Sequence, residues 1–231
     1  MALILVPAAA GAQDQLVPGA EAPAFLLSPI NPEQCGFSGV VSLNGLRQRD
    51  DATRPKVYLV TFFASWCEPC KKEIPELQAL YTRLQAKGLM VIDISIDTDD
   101  QSYAALASLL STHKVTFPVL WDKYAVMGKR YKVSRLPCVL LLDADARIVK
   151  IMIGYEEESL KRLIADIETM LAGGKVTPGI EAPVGKPVEK PHETKTDPAP
   201  AAAPQPPSRA VPQTAPPPPA PVAPYGSSGK K

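Results

Sequence analysis

The chain has 231 residues, with 25 Lys and Arg against 24 Asp and Glu, and a formal net charge of +1. This balance gives no general electrostatic basis for binding a phosphate backbone, because such affinity comes from clustered cations, so a nucleic-acid partner is not expected. The histidines are His113 and His192, and His192 lies in a proline-rich stretch, which excludes a metal site built on paired histidines.

An apolar segment opens the sequence. Residues 2–12 read ALILVPAAAGA, which is too short for a membrane-spanning helix of about 20 apolar residues. An apolar run ending in Ala-Gly-Ala is typical of a secretory signal peptide and its cleavage site, so residues 1–12 are predicted to be a signal-peptide remnant. No Lys or Arg precedes the run, and an ordinary apolar N-terminus therefore stays open as the alternative.

Residues 22–172 show the alternating apolar pattern of a single domain. A small N-terminal β-hairpin is predicted first, from Phe25–Leu27 and Val40–Leu43. The β-branched and aromatic run Lys56–Phe63 then predicts a strand buried on both faces. A helix should follow over Cys67–Lys87, because apolar residues recur there at spacings of three and four.

The second half of this domain continues the alternation. A buried strand over Leu89–Ile96 precedes an amphipathic helix around Tyr103–Leu110, which sets a β-α-β order. The later apolar segments predict a strand, a short helix, a hairpin and a last helix, at Val119–Trp121, Tyr124–Tyr131, Val139–Leu142 with Ile148–Ile153, and Glu156–Leu171.

The composition changes from Gly173 onward, where 16 of the 26 prolines lie among the last 59 residues. Such a stretch buries too little apolar area to offset its ordering entropy. Residues 173–231 are therefore predicted to form a disordered Pro/Ala-rich tail. A ligand or spacer role through Pro216–Pro219 stays open beside a purely solubilising one.

Two thiols stand three residues apart in Trp66-Cys67-Glu68-Pro69-Cys70, where a buried strand passes into a helix. Helical spacing puts both thiols on one face. Cys67 is predicted to be the nucleophile, because free N–H groups and the macrodipole at a helix N-terminus favour a thiolate and lower its pKa. Cys70, one turn later, is predicted to be the resolving thiol that closes an internal disulfide.

Two structural uses of this pair are alternatives to redox chemistry. A zinc site needs further ligands, and Cys35 and Cys138 are isolated in the sequence while the histidines are badly placed. An inert structural disulfide is disfavoured because so small a ring constrains the unfolded chain little. Thiol redox chemistry without a metal is therefore the expected use of the pair.

The segment VYLVTFFASWCEPCKKEIPEL, followed by YKVSRLP and VLLLD, resembles the TlpA/ResA branch of the thioredoxin superfamily over residues 22–172. The resemblance implies a thioredoxin-like three-layer α/β/α sandwich with the added N-terminal hairpin. It also implies that Pro137 is a cis-proline facing the thiol pair, which leaves the backbone near Leu136 free to pair with an extended substrate. Trp66 would cover the nucleophile.

The resemblance gives Glu73 a role in tuning the pKa values of the thiols, since a carboxylate nearby disfavours a thiolate. A solvated helix residue beside Lys71 and Lys72 is the alternative. The family usually has Thr where this chain has Cys138. Three interpretations of that thiol stay open, which are separate packing, a second disulfide with Cys35, and exchange with the active pair.

The implied function is an exported, periplasmic thiol-disulfide oxidoreductase that needs no organic cofactor. Its implied partners are disulfide-containing proteins such as apocytochrome c during cytochrome c maturation, and a membrane reductant of the CcdA/DsbD type. A peroxiredoxin-like peroxide reductase is the alternative enzyme, but WCEPC stands where that class has PxxxTxxC. A binding or scaffold protein that uses its proline-rich tail is the alternative outside enzymes.

Overall fold

The computed structural model describes residues 16–181. The predicted signal-peptide remnant, residues 1–12, and most of the predicted tail lie outside the described residues. Within the described part, no helix is both long enough and apolar enough to cross a membrane.

A six-stranded mixed sheet forms the centre of the domain, and a two-stranded ribbon precedes it. The ribbon consists of β1 (Leu26–Leu27) and β2 (Val41–Ser42), and the sheet of β3 (Val57–Phe63), β4 (Leu89–Ser95), β5 (Val119–Trp121), β6 (Cys138–Leu142), β7 (Ile148–Ile153) and β8 (Gly179–Glu181). The order in the sheet is β5-β4-β3-β6-β7-β8. β3 runs parallel to β4 and antiparallel to β6.

Helices cover both faces of this sheet. They are α1 (Pro32–Cys35), α2 (Leu43–Arg47), α3 (Glu68–Leu84), α4 (Asp100–Thr112), α5 (Val126–Arg130) and α6 (Glu157–Leu171). Every residue of β3, β4 and β6 is buried, as expected for apolar strands in a central layer. The predicted three-layer α/β/α arrangement is confirmed.

The two predicted hairpins are also present. β1 and β2 pair antiparallel, with Leu26 opposite Ser42, and α1 lies between them. β6 and β7 pair antiparallel across the turn that contains Asp143 and Ala146. In both cases short apolar segments separated by polar residues had predicted the pairing.

The predicted domain, residues 22–172, is too short at both ends. At the N-terminal side, the backbone N–H of Gly19 donates to Ile148 O at 2.7 Å, so the chain pairs with β7 before residue 22. At the C-terminal side, the tail was predicted to begin at residue 173, but β8 joins the sheet beside β7, with Ile151 opposite Ile180. Backbone hydrogen bonds join both of these segments to the sheet. Segments of about three residues are too short to show an alternation of apolar and polar residues, so the sequence contains no signal for them.

Ion pairs hold β8 at the edge of the sheet. Lys150 on β7 contacts Asp166, and it contacts Glu181 at 3.3 Å. Arg162 on α6 contacts Glu181 at 3.1 Å. Glu181 therefore joins the last strand to both the neighbouring strand and the last helix.

We expect a chain truncated after Ala172 to be less stable than one truncated after Glu181. The shorter chain loses the backbone hydrogen bonds of β8 and the Glu181 ion pairs, which together contribute about 1–2 kcal/mol. Urea unfolding of the two truncated chains, with the full chain as reference, measures the difference. Equal stabilities of the two truncated chains would show that β8 contributes nothing to the fold.

Candidate active site

A disulfide joins Cys67 and Cys70 at the start of α3, with their Cα atoms 5.3 Å apart. Strand β3 ends at Phe63, and the chain reverses in a turn in which Cys67 N donates to Ala64 O at 3.0 Å. Cys67 is the N-cap residue of α3, and Pro69 lies in the first turn of the helix, where no backbone donor is needed. These residues therefore favour a helix that begins at the thiol pair.

The N-terminus of α3 provides an electrostatic setting for the Cys67 sulfur. Cys67 Sγ accepts from Cys70 N at 3.3 Å, in the manner of an N-cap oxygen. In the reduced protein, this N–H group and the positive end of the helix macrodipole favour a thiolate at Cys67. Cys70 lies inside the first turn and is more enclosed.

The disulfide is nearly covered. Cys67 is 3% exposed and Cys70 is 1% exposed, whereas Trp66 is 40% exposed. The two sulfur atoms are therefore buried, and the residue that precedes them in the chain carries an exposed indole.

The Leu136–Pro137 peptide bond is cis, as predicted. β6 begins at the next residue, Cys138, which lies opposite Phe62 near the end of β3. The antiparallel pairing thus brings the cis-proline to the edge of the sheet from which α3 begins. Pro137 O accepts from Gly154 N at 2.7 Å, and both Leu136 and Pro137 are buried.

Glu73 is a buried carboxyl group one helical turn after Cys70. It is 2% exposed, so the alternative of a solvated helix residue is wrong. Within the described residues, its Oε1 has no hydrogen-bond partner. Burial raises the pKa of Glu73 from its ordinary value of 4.5 to about 8, and the negative charges of Asp93 and Glu76 add to the rise.

Asp93 is a second buried carboxyl group, which the sequence interpretation missed. It lies on β4 directly beside Thr61 on β3, and the Thr61 hydroxyl donates to its carboxyl group. Burial raises the pKa of Asp93 from 3.8 to about 7, although the Thr61 hydrogen bond opposes the rise. An aspartate inside the apolar run LMVIDISI was the available signal.

The other two thiols are separate and free. Cys138 is buried and Cys35 is half-buried, and Cys35 Sγ donates to Pro32 O at 3.7 Å. Of the three interpretations left open for Cys138, the structure therefore agrees with separate packing and contradicts a second disulfide with Cys35. Burial raises the pKa of Cys138 to about 12, with a smaller contribution from the charge of Glu73, so this thiol carries almost no thiolate with which to exchange with the active pair.

A third carboxyl group, that of Asp97 just beyond β4, also escaped the sequence interpretation. It accepts from Ser65 N at 2.8 Å and from Ser65 Oγ at 3.0 Å. Ser65 lies in the turn that leads to Cys67. The Asp follows the last apolar residue of the strand in Ile-Ser-Ile-Asp, a position that looks like the start of an ordinary loop.

The family model of the AhpC/TSA family matches residues 18–151, which is more than half of the chain. This chain therefore belongs to the AhpC/TSA family. The match covers β1 to the first residues of β7 and includes the whole thiol site.

Curated relatives place the chain among the thiol-disulfide oxidoreductases of that family. It is 26% identical over 148 residues to the thiol-disulfide oxidoreductase ResA of Bacillus subtilis, covering 64% of this chain and 74% of the relative. It is 30% identical over 129 residues to ResA of Bacillus cereus, covering 54% and 73% respectively. The chain is thus a thiol-disulfide oxidoreductase of the ResA type, with Cys67 and Cys70 as its CxxC pair.

Solved structures show the same fold. A Chlorobium tepidum protein assigned as thiol:disulfide interchange protein DsbE superposes with a TM-score of 0.58 at 24% identity, covering 68% of this chain and 99% of that one. The thioredoxin domain of a thiol-disulfide oxidoreductase from Bacteroides vulgatus superposes with a TM-score of 0.51 at 21% identity, covering 66% and 99%. The thioredoxin-like fold predicted from the sequence is confirmed.

The substitution Glu73→Gln should weaken the pH dependence of stability. In the folded protein the pKa of Glu73 is raised from 4.5 to about 8, so the folded state binds more protons than the unfolded state between these values. Stability contributed by this group is therefore greatest at low pH and is lost as pH rises through that window. Urea unfolding of the wild type and the variant from pH 5 to pH 9 measures the difference.

Glu68→Gln is the matched control, because Glu68 lies on the same helix, is exposed, and is not one of the charges that raise the pKa of Glu73. We expect this control to keep the wild-type slope of stability against pH. A Glu73→Gln variant with the wild-type slope would show that Glu73 ionises as freely in the folded protein as in the unfolded chain.

Proposed function

We propose that this ResA-type member of the AhpC/TSA family is an exported reductase of protein disulfides. The proposed substrate is the oxidised CxxCH segment of apocytochrome c during cytochrome c maturation, and the proposed electron source is a membrane reductant of the CcdA/DsbD type. The observation that carries the proposal is the Cys67–Cys70 pair at the N-terminus of α3 with the buried Glu73 one turn behind it.

The proposed reaction is a two-step thiol-disulfide exchange. The Cys67 thiolate attacks one substrate sulfur, a new S–S bond forms, and the second substrate sulfur leaves as a thiolate that takes up a proton. The Cys70 thiol then loses its proton and attacks Cys67 Sγ, which breaks the mixed disulfide and releases the reduced substrate. The two electrons come from the protein dithiol, so no organic cofactor is required.

Glu73 supports the reducing direction. Reduction potential depends on how well the reduced dithiol is stabilised relative to the disulfide. Glu73 is adjacent to Cys70 on the helix surface, at a spacing of three residues, and a carboxylate there disfavours a thiolate. In the proposal, Glu73 therefore tunes the pKa of the thiols upward, which makes the dithiol a better electron donor.

Substrate binding is proposed to use Trp66 and the cis-proline loop. Trp66 presents an exposed indole beside the covered disulfide, and an extended peptide could pair with the backbone at Leu136 by strand addition. Pro137 O is already occupied by Gly154 N. The pairing groups available to a substrate are therefore those of Leu136 rather than the Pro137 carbonyl.

The peroxide-reductase alternative has less support from the residues. In PxxxTxxC the Pro and Thr stand seven and three positions before the reactive Cys, and here those positions hold Val60 and Ala64. The hydroxyl nearest in the preceding strand, that of Thr61, is directed to Asp93 instead. The site thus lacks the groups that would orient a peroxide.

Disulfide reduction should depend on Cys67 and not on Cys35. We expect the wild type with dithiothreitol to reduce insulin and, faster, an oxidised peptide carrying CxxCH, whereas Cys67→Ser removes both activities because the nucleophile is lost. Cys35→Ser, which removes the half-buried thiol outside the site, should retain both. Peroxide consumption that disappears in Cys67→Ser would favour the alternative enzyme.

The reduction potential of the Cys67–Cys70 pair should be that of a reductant. We expect a value at or below about −230 mV, the lower end for glutaredoxins, because the buried carboxyl group destabilises the thiolate form. Equilibration with dithiothreitol buffers followed by thiol counting measures it. A value near −120 mV, as in strongly oxidising members of the fold, would contradict the reductase direction.

A further inference from the structure

The turn that delivers Cys67 to α3 is held by a carboxyl group from the next strand. Asp97 follows β4 and is 2% exposed. Its Oδ2 accepts from the backbone N–H of Ser65 at 2.8 Å, and its Oδ1 accepts from the Ser65 hydroxyl at 3.0 Å. Both polar groups of one turn residue are therefore bound by the same carboxyl group.

This double contact constrains orientation as well as position. Two hydrogen bonds in parallel define a direction between donor and acceptor that a single bond leaves free. Ser65 is the second residue of the turn closed by Cys67 N and Ala64 O at 3.0 Å. Fixing Ser65 thus fixes the two residues that follow it, the exposed Trp66 and the N-cap Cys67.

Asp97 is itself anchored from three sides. Ser95 Oγ donates to Asp97 Oδ2 at 2.8 Å, and Asp97 N donates to Ser95 Oγ at 3.1 Å. The indole Nε1 of Trp121 donates to Asp97 O at 2.6 Å. One residue earlier, Ile96 N donates to Phe63 O at 3.0 Å. The backbone of Asp97 is thus tied to the ends of β4 and β5, and its carboxyl group is held by Ser95.

We propose that Asp97 is a positioning residue for the redox pair, which acts through Ser65 to hold Cys67 in line with Cys70. The proposal rests on the exchange reaction of the proposed function. In its second step Cys70 attacks Cys67 Sγ, the Cys67–Cys70 bond forms, and the bond from Cys67 to the departing thiol breaks. That step needs three sulfur atoms in line, and a displacement of about 1 Å costs up to about 100-fold in rate.

The experiment follows the two exchange steps separately with a dithiobis(nitrobenzoate) reagent in a Cys35→Ser background. Attack by Cys67 releases one coloured thiolate, and attack by Cys70 on the resulting mixed disulfide releases the second. We expect Asp97→Asn to slow the second release about tenfold. Ser65→Ala, which removes one hydrogen bond and changes no charge, should slow it about threefold.

The double variant tests whether the two residues act as a unit. If Asp97 acts through Ser65, the slowing by Asp97→Asn and Ser65→Ala together is less than the product of the two separate effects, because both substitutions weaken the same pair of hydrogen bonds. Strictly additive effects of the two substitutions would overturn the proposed route through Ser65. If Asp97→Asn does not fold, the Ser65→Ala variant alone tests the proposal. A second thiolate release at the wild-type rate in Ser65→Ala would then overturn it.

Asp122→Asn is the matched control. Asp122 is as buried as Asp97, and each of its two carboxyl oxygens accepts one hydrogen bond, from the backbone N–H groups of Val126 and Gly128, each at 2.9 Å. We expect it to lower the free energy of unfolding as Asp97→Asn does but to leave the second release within about twofold of the wild type. Equal slowing in both variants would show that general stability, and not positioning, sets the rate.

The number of thiolates that the wild type releases distinguishes a failure of this proposal from a failure of the proposed function. If the wild type releases only one thiolate, Cys70 does not resolve the mixed disulfide, and the exchange mechanism itself is wrong. If the wild type releases both and Asp97→Asn matches it in both phases, the mechanism is supported and only the positioning role is overturned.

Discussion

The chemistry of this protein depends on where the buried strand β3 ends. Its seven residues are all buried, so the strand is held on both faces and between two neighbours and cannot slide. The chain must therefore turn at a defined point at the sheet edge, and the turn closes through Cys67 N and Ala64 O. Helix α3 begins directly after this turn, with Cys67 as its N-cap residue and Pro69 in its first turn. The positions of the two thiols are therefore fixed by the end of the strand.

Two buried carboxyl groups lie near the thiol pair, and their burial costs folding free energy. Glu73 and Asp93 are both almost fully buried, and a buried carboxyl group is tolerated chiefly in its neutral form. Burial raises the pKa of each, to about 8 for Glu73 and to about 7 for Asp93. Buried carboxyl groups with raised pKa values are characteristic of functional sites.

The local features of the site could be predicted from the sequence, and the long-range contacts could not. The spacing of Cys67 and Cys70 and the change from strand to helix pattern are properties of adjacent residues. By contrast, the contact of Asp97 with Ser65 spans 32 residues, and the burial of Glu73 depends on how α3 lies against the sheet. The sequence could not decide whether Cys35 and Cys138 form a bridge, because an even count of cysteines carries no information about the distance between two thiols.

The N-terminus of α3 favours a thiolate, whereas a negative charge on Glu73 disfavours one. The position of each sulfur atom along the helix decides which of these two effects is the stronger. At Cys67 the free N–H groups and the macrodipole favour the thiolate, but this effect falls off within the first turn. Cys70 lies where the effect has weakened, and Glu73 is on its face of the helix. In the proposed mechanism, this difference over one helical turn suits Cys67 to attack the substrate. In that mechanism Cys70 is the thiol that must be deprotonated before it resolves the mixed disulfide, and the ionised form of Glu73 is suited to accept that proton.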